Sequence, residues 1–170
     1  LALEMTTQID GISQRIVDKV PTLGFRTGFK NLDRITGGLK RGDLWIIAGR
    51  PGMGKTAMAM NLAANMVMNN GLIQNQFEPV VGVFSMEQGK PSLAIREMAS
   101  AARIDSMLFN DLDALRPKMK DVVHAVLRRI NSDAQRILID DTGALKPSDL
   151  NLRVKKLKLE YPGLIAICTD

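Results

Sequence analysis

The sequence predicts an α/β fold in which a parallel sheet carries helices on both faces. Apolar, strand-like segments alternate with helical ones, and no Asn-Gly or Asp-Gly turn joins one strand directly to the next. A glycine-rich loop at residues 49–56 stands between one such strand and one such helix. Because parallel strands need crossovers that pack on the sheet, right-handed strand–helix–strand units are expected. Ligands of such sheets bind at the carboxyl ends of the strands.

The composition is that of one globular domain. The 170 residues are 45% apolar, which is enough for a sizeable core, and no apolar run of 18 or more residues predicts a membrane span. One cysteine excludes an internal disulfide and any multi-cysteine metal site. No signal-peptide pattern opens the chain, so a cytoplasmic location is expected, and the first residue, Leu1, suggests a fragment of a longer protein. A net charge of +5 permits a nucleic-acid partner without requiring one.

Residues 1–20 are expected to form an amphipathic helix that Pro21 ends. Apolar side chains recur every three or four positions, at Met5, Ile9, Ile12, Ile16 and Val20. This stripe must be buried, and docking on a neighbouring subunit explains it as well as packing on its own domain does. We therefore separate a linker or docking helix, residues 1–21, from a domain at residues 22–170.

The domain opens with a turn-rich lead-in, residues 21–43, and continues as alternating strands and helices. Strands are expected at residues 44–48, 80–86, 136–140 and 164–169. Helices are expected at residues 57–68, continuing to about residue 69 or 70 before Gly71, and at residues 92–103, 117–130 and 147–159. The second strand is apolar almost throughout, which is typical of a strand covered on both faces.

The glycine-rich loop fits the phosphate-binding template G-x-x-x-x-G-K-[ST] at all eight positions. Its small residues let backbone amides approach a polyphosphate, and the amino end of the next helix adds a partial positive charge. Lys55 is expected to reach the β- and γ-phosphates, and the Thr56 hydroxyl to ligate Mg²⁺. The predicted nucleotide-binding residues are Gly49, Arg50, Pro51, Gly52, Met53, Gly54, Lys55, Thr56 and Ala57. The competing interpretation is an ordinary glycine-rich turn.

Acidic residues at strand ends are the expected partners of this loop. Mg²⁺ needs an oxygen ligand besides Thr56, and both Asp170 and Asp140 follow apolar strands, so the pattern does not separate them. Glu87 ends another strand and suits a base that activates water. Its alternative role is a solvated carboxylate, or a charge at the start of the next helix.

Several motifs, from about Thr27 to the end, resemble the C-terminal RecA-like ATPase domain of replicative DnaB-type hexameric helicases. They are Thr27-Gly28-Phe29 with Leu32-Asp33 and Gly38-Leu39, the loop Arg50 to Thr56, Phe84-Ser85-Met86-Glu87, Ile139-Asp140-Asp141 followed by Pro147, and Leu164-Ile165-Ala166-Ile167 ending in Asp170. The resemblance implies that Glu87 is the catalytic base, acting with Lys55. It favours Asp170 over Asp140 as the magnesium anchor and makes Asp140 and Asp141 a structural strand end.

The resemblance further implies an ATP-dependent replicative DNA helicase, in which hydrolysis of Mg-ATP drives translocation on single-stranded DNA and duplex unwinding. Its partners would be single-stranded DNA, identical subunits in a hexameric ring, and a primase or helicase loader, with no membrane. Residues 1–21 would dock on the adjacent subunit, and residues 22–170 would be an incomplete RecA-like ATPase domain. The family's DNA-contacting loops and arginine finger would lie beyond Asp170, so we expect the fragment alone to be weakly active or inactive.

The chain departs from the family pattern at three places. Gln88 replaces an expected hydrophobic residue, Thr169 replaces an aliphatic one, and the connector at residues 71–79 is longer than usual. These departures fit a divergent, phage-encoded member. Alternative functions are a RecA-like recombinase or clock-type ATPase, a non-motor ATP-binding loader or switch, and a small-molecule kinase. Glu87 argues against the kinase, because kinases need no base that activates water.

Other polar residues receive ordinary structural interpretations. His124 has no second metal ligand nearby in the pattern, and Cys168 fits a small core residue within a strand. A basic stretch on one helix predicts a solvated face, with a DNA-facing or subunit-facing role as the alternative; it comprises Arg153, Lys155, Lys156 and Lys158. The methionines of the helix after the loop are expected in the core.

Overall fold

The computed structural model describes residues 4–7, 9–10, 13, 24–69, 77–132 and 136–170. Contacts divide the chain into two units, Leu1–Ile46 and Ile47–Asp170. In the first unit, residues 4–7, 9–10 and 13 are helical, and the side chains of Met5 and Ile9 are exposed. The remaining members of the predicted stripe, Ile12, Ile16 and Val20, lie outside the described residues. The predicted boundary between residues 21 and 22 stays a prediction.

The first unit also contains a short helix, α1 (Lys30–Thr36), which is tied to the segment before it. The Asp33 carboxylate is buried in this helix and accepts hydrogen bonds from the Thr27 backbone N–H, at 2.8 Å, and from its Oγ1, at 2.7 Å. Phe25 and Leu39 close the segment through an antiparallel bridge. The Thr-Gly and Leu-Asp signals of the sequence therefore form one compact turn-and-helix unit.

The second unit is built on three parallel strands, β1 (Val80–Phe84), β2 (Ile137–Asp140) and β3 (Leu164–Thr169), in the order β2-β1-β3. Val83 of the central strand lies opposite Ile139 on one side and Cys168 on the other. All five residues of β1 are buried, which confirms the prediction of a doubly covered strand. The carboxyl ends of the three strands form one edge of the sheet.

Helices pack against this sheet and against one another. Helix α2 (Lys55–Asn69) contacts all three strands, α3 (Lys90–Ala102) packs on α5 (Met119–Ser132), and α6 (Pro147–Glu160) contacts β3. Between α3 and α5 the chain forms 3₁₀ turns at Ser106–Asn110 and Arg116–Lys118 around a short helix, α4 (Leu112–Leu115). The four helices predicted after the loop are confirmed within a few residues, whereas these short elements were not predicted.

The core is aliphatic, as the scarcity of aromatic residues predicts. Its fully or almost fully buried side chains include Met60, Ala63, Ala64, Met66, Val67, Val81, Phe84, Leu93, Leu115, Val122 and Ala125. Among the methionines of α2, Met60 and Met66 are in this core, whereas Met68 is 48% exposed, so the prediction for it was wrong. No helix within the described part of the chain is long and apolar enough to cross a membrane.

The strand predicted at residues 44–48 is wrong. This segment makes no strand pairing with the described residues, and the side chains of Leu44 and Ile46 are 84% and 82% exposed. An apolar, β-prone run specifies a strand only where another strand accepts its backbone hydrogen bonds. The predicted helix cap at Gly71 lies outside the described residues.

Candidate functional site

The glycine-rich loop turns sharply between residue 50 and the first residue of α2. Met53 donates a backbone hydrogen bond to the Arg50 carbonyl at 3.2 Å, and Gly52 and Gly54 have φ angles of 77° and 87°. A Cβ at either glycine would meet no described atom within 4 Å, so neighbouring atoms do not crowd either position. Both glycines therefore provide a left-handed backbone and leave space beside the amides.

Helix α2 starts immediately after the loop and presents its positive end there. The amides of Lys55, Thr56 and Ala57 lie in the first turn of the helix, where no carbonyl of the helix itself is available as an acceptor. The Met58 amide is the first to find one, since it donates to the Gly54 carbonyl at 2.8 Å. No acidic residue stands in the first turn to compensate this end of the helix dipole. The Lys55 Nζ donates to the Arg50 carbonyl at 3.4 Å and so lies across the loop. This arrangement suits a multiply charged anion.

Asp170 lies at the carboxyl end of β3, against the turn that follows β1. Its Oδ1 accepts a hydrogen bond from the Met86 backbone N–H at 3.0 Å, and its Oδ2 accepts one from the Ser85 Oγ at 3.2 Å. Its own N–H donates to the Phe84 carbonyl at 3.2 Å. The ends of two neighbouring strands are thus joined through one carboxylate.

Glu87 lies in the same turn. Its side chain is exposed, so solvent and ligands have access to the carboxylate. The next residue, Gln88, donates its backbone N–H to the Ser85 Oγ at 3.3 Å. The structure therefore brings two of the sequence-predicted residues, Glu87 and Asp170, to adjacent strand ends.

Asp140, the rival metal anchor, is bound by protein groups instead. It accepts hydrogen bonds from Arg153 Nη1, from Thr142 Oγ1 at 2.6 Å and from the Thr142 N–H at 3.0 Å. Burial alone would raise the pKa of Asp140, but the hydrogen bonds from Thr142 and Arg153 outweigh it and lower the pKa to about 2. Arg153 therefore does not belong to a solvated basic face, and that prediction was wrong for this residue.

Asp141 is also bound by its neighbours. Its carboxylate accepts the Lys90 backbone N–H at 3.0 Å and pairs with the Lys90 Nζ at 3.3 Å, which holds the start of α3 against the end of β2. The Lys90 N–H and then its charge lower the pKa of Asp141. Among the three strand-end aspartates, Asp170 is bound by a hydroxyl and an amide but by no cation in the described structure.

The donor set suits magnesium. Within the described ranges, no group of three or more His, Cys, Asp and Glu residues is placed to hold a metal ion. The two ligands predicted from the sequence, the Thr56 hydroxyl and the Asp170 carboxylate, are both hard oxygen donors. Mg²⁺ commonly uses one or two such protein oxygens and completes its coordination with water and substrate phosphates. The residues present therefore fit a phosphate-bound Mg²⁺.

The other singled-out residues show no catalytic arrangement. His124 is exposed on α5. Cys168 is half-buried in β3, and burial, assisted by the negative charge of Asp170, raises the pKa of its thiol. The sequence analysis quoted Ser85 only as part of a motif and assigned it no role. The feature that could have revealed one is a hydroxyl side chain at the end of a buried strand, two residues before the acidic Glu87.

Comparisons with known proteins identify the relatives of this arrangement. Residues 24–170 match the family model of the DnaB-like helicase C-terminal domain. Similar curated proteins include the replicative DNA helicase DnaB of Synechocystis sp. (35% identity; 88% of this chain, 16% of that protein) and of Haemophilus influenzae (34%; 99% of this chain, 34% of that protein). Another is the replicative DNA helicase DnaC of Bacillus subtilis (32%; 95% of this chain, 33% of that protein).

Two similar solved structures agree with these matches. One, a solved ATPase domain, superposes with a TM-score of 0.76 at 26% identity, over 98% of this chain and 56% of that chain. The other, a DnaB-like replicative helicase described with its interactions with primase, has a TM-score of 0.75 at 26% identity, over 95% of this chain and 37% of that chain. The chain spans about a third or less of the length of the three curated relatives.

Proposed function

Because the chain belongs to the DnaB-like helicase C-terminal domain family, we propose that it is the nucleotide-binding part of an ATP-dependent replicative DNA helicase. Hydrolysis of ATP in this part drives translocation on single-stranded DNA and unwinding of the duplex. The proposal is supported by the match over residues 24–170 and by relatives that are replicative helicases. The observation that carries it is the joining of the Asp170 carboxylate to the turn that bears Glu87, in a chain whose glycine-rich loop leads directly into α2.

The loop and the start of α2 bind the phosphates of ATP. The amides of residues 52–57 provide donors, and Gly52 and Gly54 keep side chains away from the ligand. The ammonium of Lys55, which lies across the loop on the Arg50 carbonyl, exchanges that contact for the β- and γ-phosphate oxygens. Its charge stabilises the negative charge that develops on the transferred group.

Thr56 and Asp170 hold Mg²⁺ in this proposal. When bound, the ion would neutralise negative charge on the phosphates. The Thr56 hydroxyl contributes one ligand from the first turn of α2. Asp170 contributes a carboxylate that Ser85 and Met86 orient through both of its oxygens. Asp140 and Asp141 do not serve here, because Arg153 and Lys90 already pair with them.

Glu87 acts as the general base. Its exposed carboxylate accepts a proton from the attacking water, which then adds to the γ-phosphorus in line with the leaving oxygen. Helices that connect parallel strands usually run opposite to them, so we infer that the amino end of α2 points toward the edge that carries Glu87 and Asp170. This direction supports one shared site for loop, metal anchor and base.

The partners follow from the same proposal. Identical subunits assemble into a hexameric ring around single-stranded DNA in the cytoplasm, and residues 1–21 dock on the adjacent subunit. A primase or helicase loader is a further partner; one similar solved helicase is described with its interactions with primase.

The test is a Glu87→Gln substitution in the intact protein, with Glu160→Gln at the exposed end of α6 as the matched control. We expect Glu87→Gln to bind a fluorescent ATP analogue normally and to lose at least about 100-fold in phosphate release, since the general base is removed. Unaltered turnover in Glu87→Gln would contradict the role of Glu87 as the general base. Loss of binding of the ATP analogue would instead show that Glu87 has a structural role. Unwinding of forked DNA by the unmodified protein separates a motor from an ATP-binding loader.

A further inference from the structure

We propose that Ser85 is a positioning residue, whose hydroxyl couples the turn bearing Glu87 to the Asp170 carboxylate. This inference rests on the proposed roles of Glu87 and Asp170 and adds a residue to that site. Its basis is one juxtaposition: a single buried hydroxyl lies between the end of β3 and the turn after β1.

The hydrogen bonds of Ser85 have a fixed direction. An ionised carboxylate only accepts and a backbone N–H only donates, so the Ser85 hydroxyl gives its proton to Asp170 and receives the Gln88 N–H on a lone pair. The side chain is 1% exposed, so water does not compete for either position. One hydroxyl therefore connects the Asp170 carboxylate to the peptide group that follows Glu87.

Glu87 is held on both sides by this arrangement. The amide of the residue before it, Met86, donates directly to Asp170 at 3.0 Å. The amide of the residue after it, Gln88, reaches the same carboxylate through Ser85. Neither bond involves the Glu87 side chain, which remains exposed for chemistry. The backbone is fixed while the carboxylate stays available, which is what a positioned base requires.

The Gln88 side chain does not provide an alternative anchor. Its Oε1 is buried and has no hydrogen-bond partner in the described structure. Removal of the Ser85 hydroxyl therefore leaves the turn with one tie to Asp170, the Met86 amide, and leaves the Gln88 N–H without its acceptor. A shift of about 1 Å in a catalytic group costs roughly 100-fold in rate, so a loosened turn is expected to appear in kcat.

The experiment uses Ser85→Ala in the intact protein, with Ser92→Ala as control, because Ser92 is an exposed serine on α3. Affinity for a fluorescent ATP analogue is expected to stay within about 2-fold, since the loop and α2 are unchanged. The kcat is expected to fall about 10- to 100-fold with KM for ATP nearly constant. Ser85→Cys keeps the size of the side chain but donates only a weak hydrogen bond, so the same fall in kcat is expected. This variant provides the test if the alanine variant does not fold.

A second measurement needs neither nucleotide nor metal. Amide hydrogen exchange of the nucleotide-free protein is expected to accelerate about 10-fold at Gln88 in Ser85→Ala, with Val83 in β1 unchanged and Ser92→Ala unaffected. General loosening of the strand would accelerate both positions and would contradict a positioning role. Unchanged exchange at Gln88 would equally overturn the proposal.

A double-mutant cycle separates this inference from the proposed function. If Ser85 acts through Glu87, then Ser85→Ala causes no further loss of single-turnover hydrolysis in a Glu87→Gln background. An equal loss in both backgrounds means that Ser85 acts only through the orientation of Asp170, which overturns the inference and leaves the role of Glu87 intact. Full kcat in Ser85→Ala, beside a strong defect in Glu87→Gln, also overturns the inference alone. Full activity in Glu87→Gln is a failure of the proposed function itself.

Discussion

The guanidinium of Arg153 donates a hydrogen bond to the carboxylate of Asp140, 13 residues earlier in the chain, and so ties α6 to the end of β2. The same nitrogen donates to the Thr142 Oγ1 at 2.9 Å, and Thr142 in turn donates to Asp140. The three side chains form a closed network at the edge of the sheet. This network stabilises the strand end on which Asp141 also holds α3.

The Arg153 network makes stability depend on pH in a defined range. Because the folded pKa of Asp140, about 2, lies below its ordinary value of 3.8, the stabilisation is complete above about pH 4 and is lost as the pH falls toward 2. Arg153→Met should lower the free energy of unfolding at pH 7 by about 1 kcal/mol, a modest value because solvent screens a pair whose arginine is 41% exposed.

Urea denaturation at pH 7 and at steps down to pH 2.5 measures this effect. The difference between the unmodified protein and Arg153→Met should shrink through the acid range. Lys156→Met, at an exposed position of the same helix, is the matched control and should change little at any pH. A difference that stays constant from pH 7 to pH 2.5 would assign the effect to packing of the arginine stem.

Removal of the Asp33 carboxylate should destabilise the first unit. Asp33→Ala deprives the buried Thr27 of the acceptor for its N–H and its hydroxyl, which should cost about 2 kcal/mol. Asp43→Ala is the control, because its exposed carboxylate accepts one bond, from the Lys40 N–H at 3.0 Å, and its loss should cost well under 1 kcal/mol. Urea denaturation and amide exchange at Thr27 are the measurements, and equal effects of the two variants would show that Asp33 is not a structural centre.

A methyl group at Gly163 should not be tolerated. A Cβ there would lie 1.9 Å from the Glu78 carbonyl oxygen, so the backbone before β1 or before β3 has to move. The Gly163 carbonyl also accepts the Val80 N–H at 2.9 Å, and this bond aligns the two strands at their start. Gly163→Ala should therefore cost about 3 kcal/mol in thermal or urea unfolding. Gly143→Ala is the control, since no atom lies within 4 Å of its Cβ position, and comparable costs at the two sites would contradict the steric argument.

Loss of the Lys55 ammonium should affect nucleotide binding first. In the proposed mechanism, Lys55→Ala removes a charge-assisted contact to phosphate worth about 3 kcal/mol, which corresponds to a roughly 100-fold weaker affinity for an ATP analogue. Equilibrium fluorescence titration measures this affinity, with Lys120→Ala, at an exposed position of α5, as the control. Unchanged affinity and turnover in Lys55→Ala would remove the basis for the phosphate loop.

Features that depend on neighbouring residues in the chain were predictable. The loop template requires glycine at Gly54 but not at Gly52, and both residues adopt positive φ angles immediately before α2. The strand at residues 164–169 was predicted at its observed bounds, and the one at residues 80–86 ends at Phe84, two residues early. The family resemblance is confirmed by the match over residues 24–170. The roles of Glu87, Thr56 and Asp170 remain predictions.

Features that depend on a distant partner were not predictable. Arg153 sits in a lysine-rich stretch, and nothing in its spacing shows that Asp140 will pair with it. Residues 44–48 have strand-like composition, but composition does not supply a neighbouring strand. The short elements between α3 and α5 did leave a local signal, since Asp105 and Asp111 cap them through their side chains. They are too short for hydrophobic periodicity to reveal them.

The link between Ser85 and Asp170 has a consequence for translation of the protein. The two residues are 85 positions apart, and ribosomes add about 5–20 residues per second, so Asp170 emerges on the order of 4–17 s after Ser85. The phosphate loop, by contrast, is contained in eight consecutive residues and is synthesised earlier still. A nascent chain therefore contains the residues of the loop well before the carboxylate that anchors the turn of Glu87 exists. Because α2 packs on all three strands, including β3, the loop reaches its folded position only when β3 has been synthesised, so both halves of the proposed site are completed together.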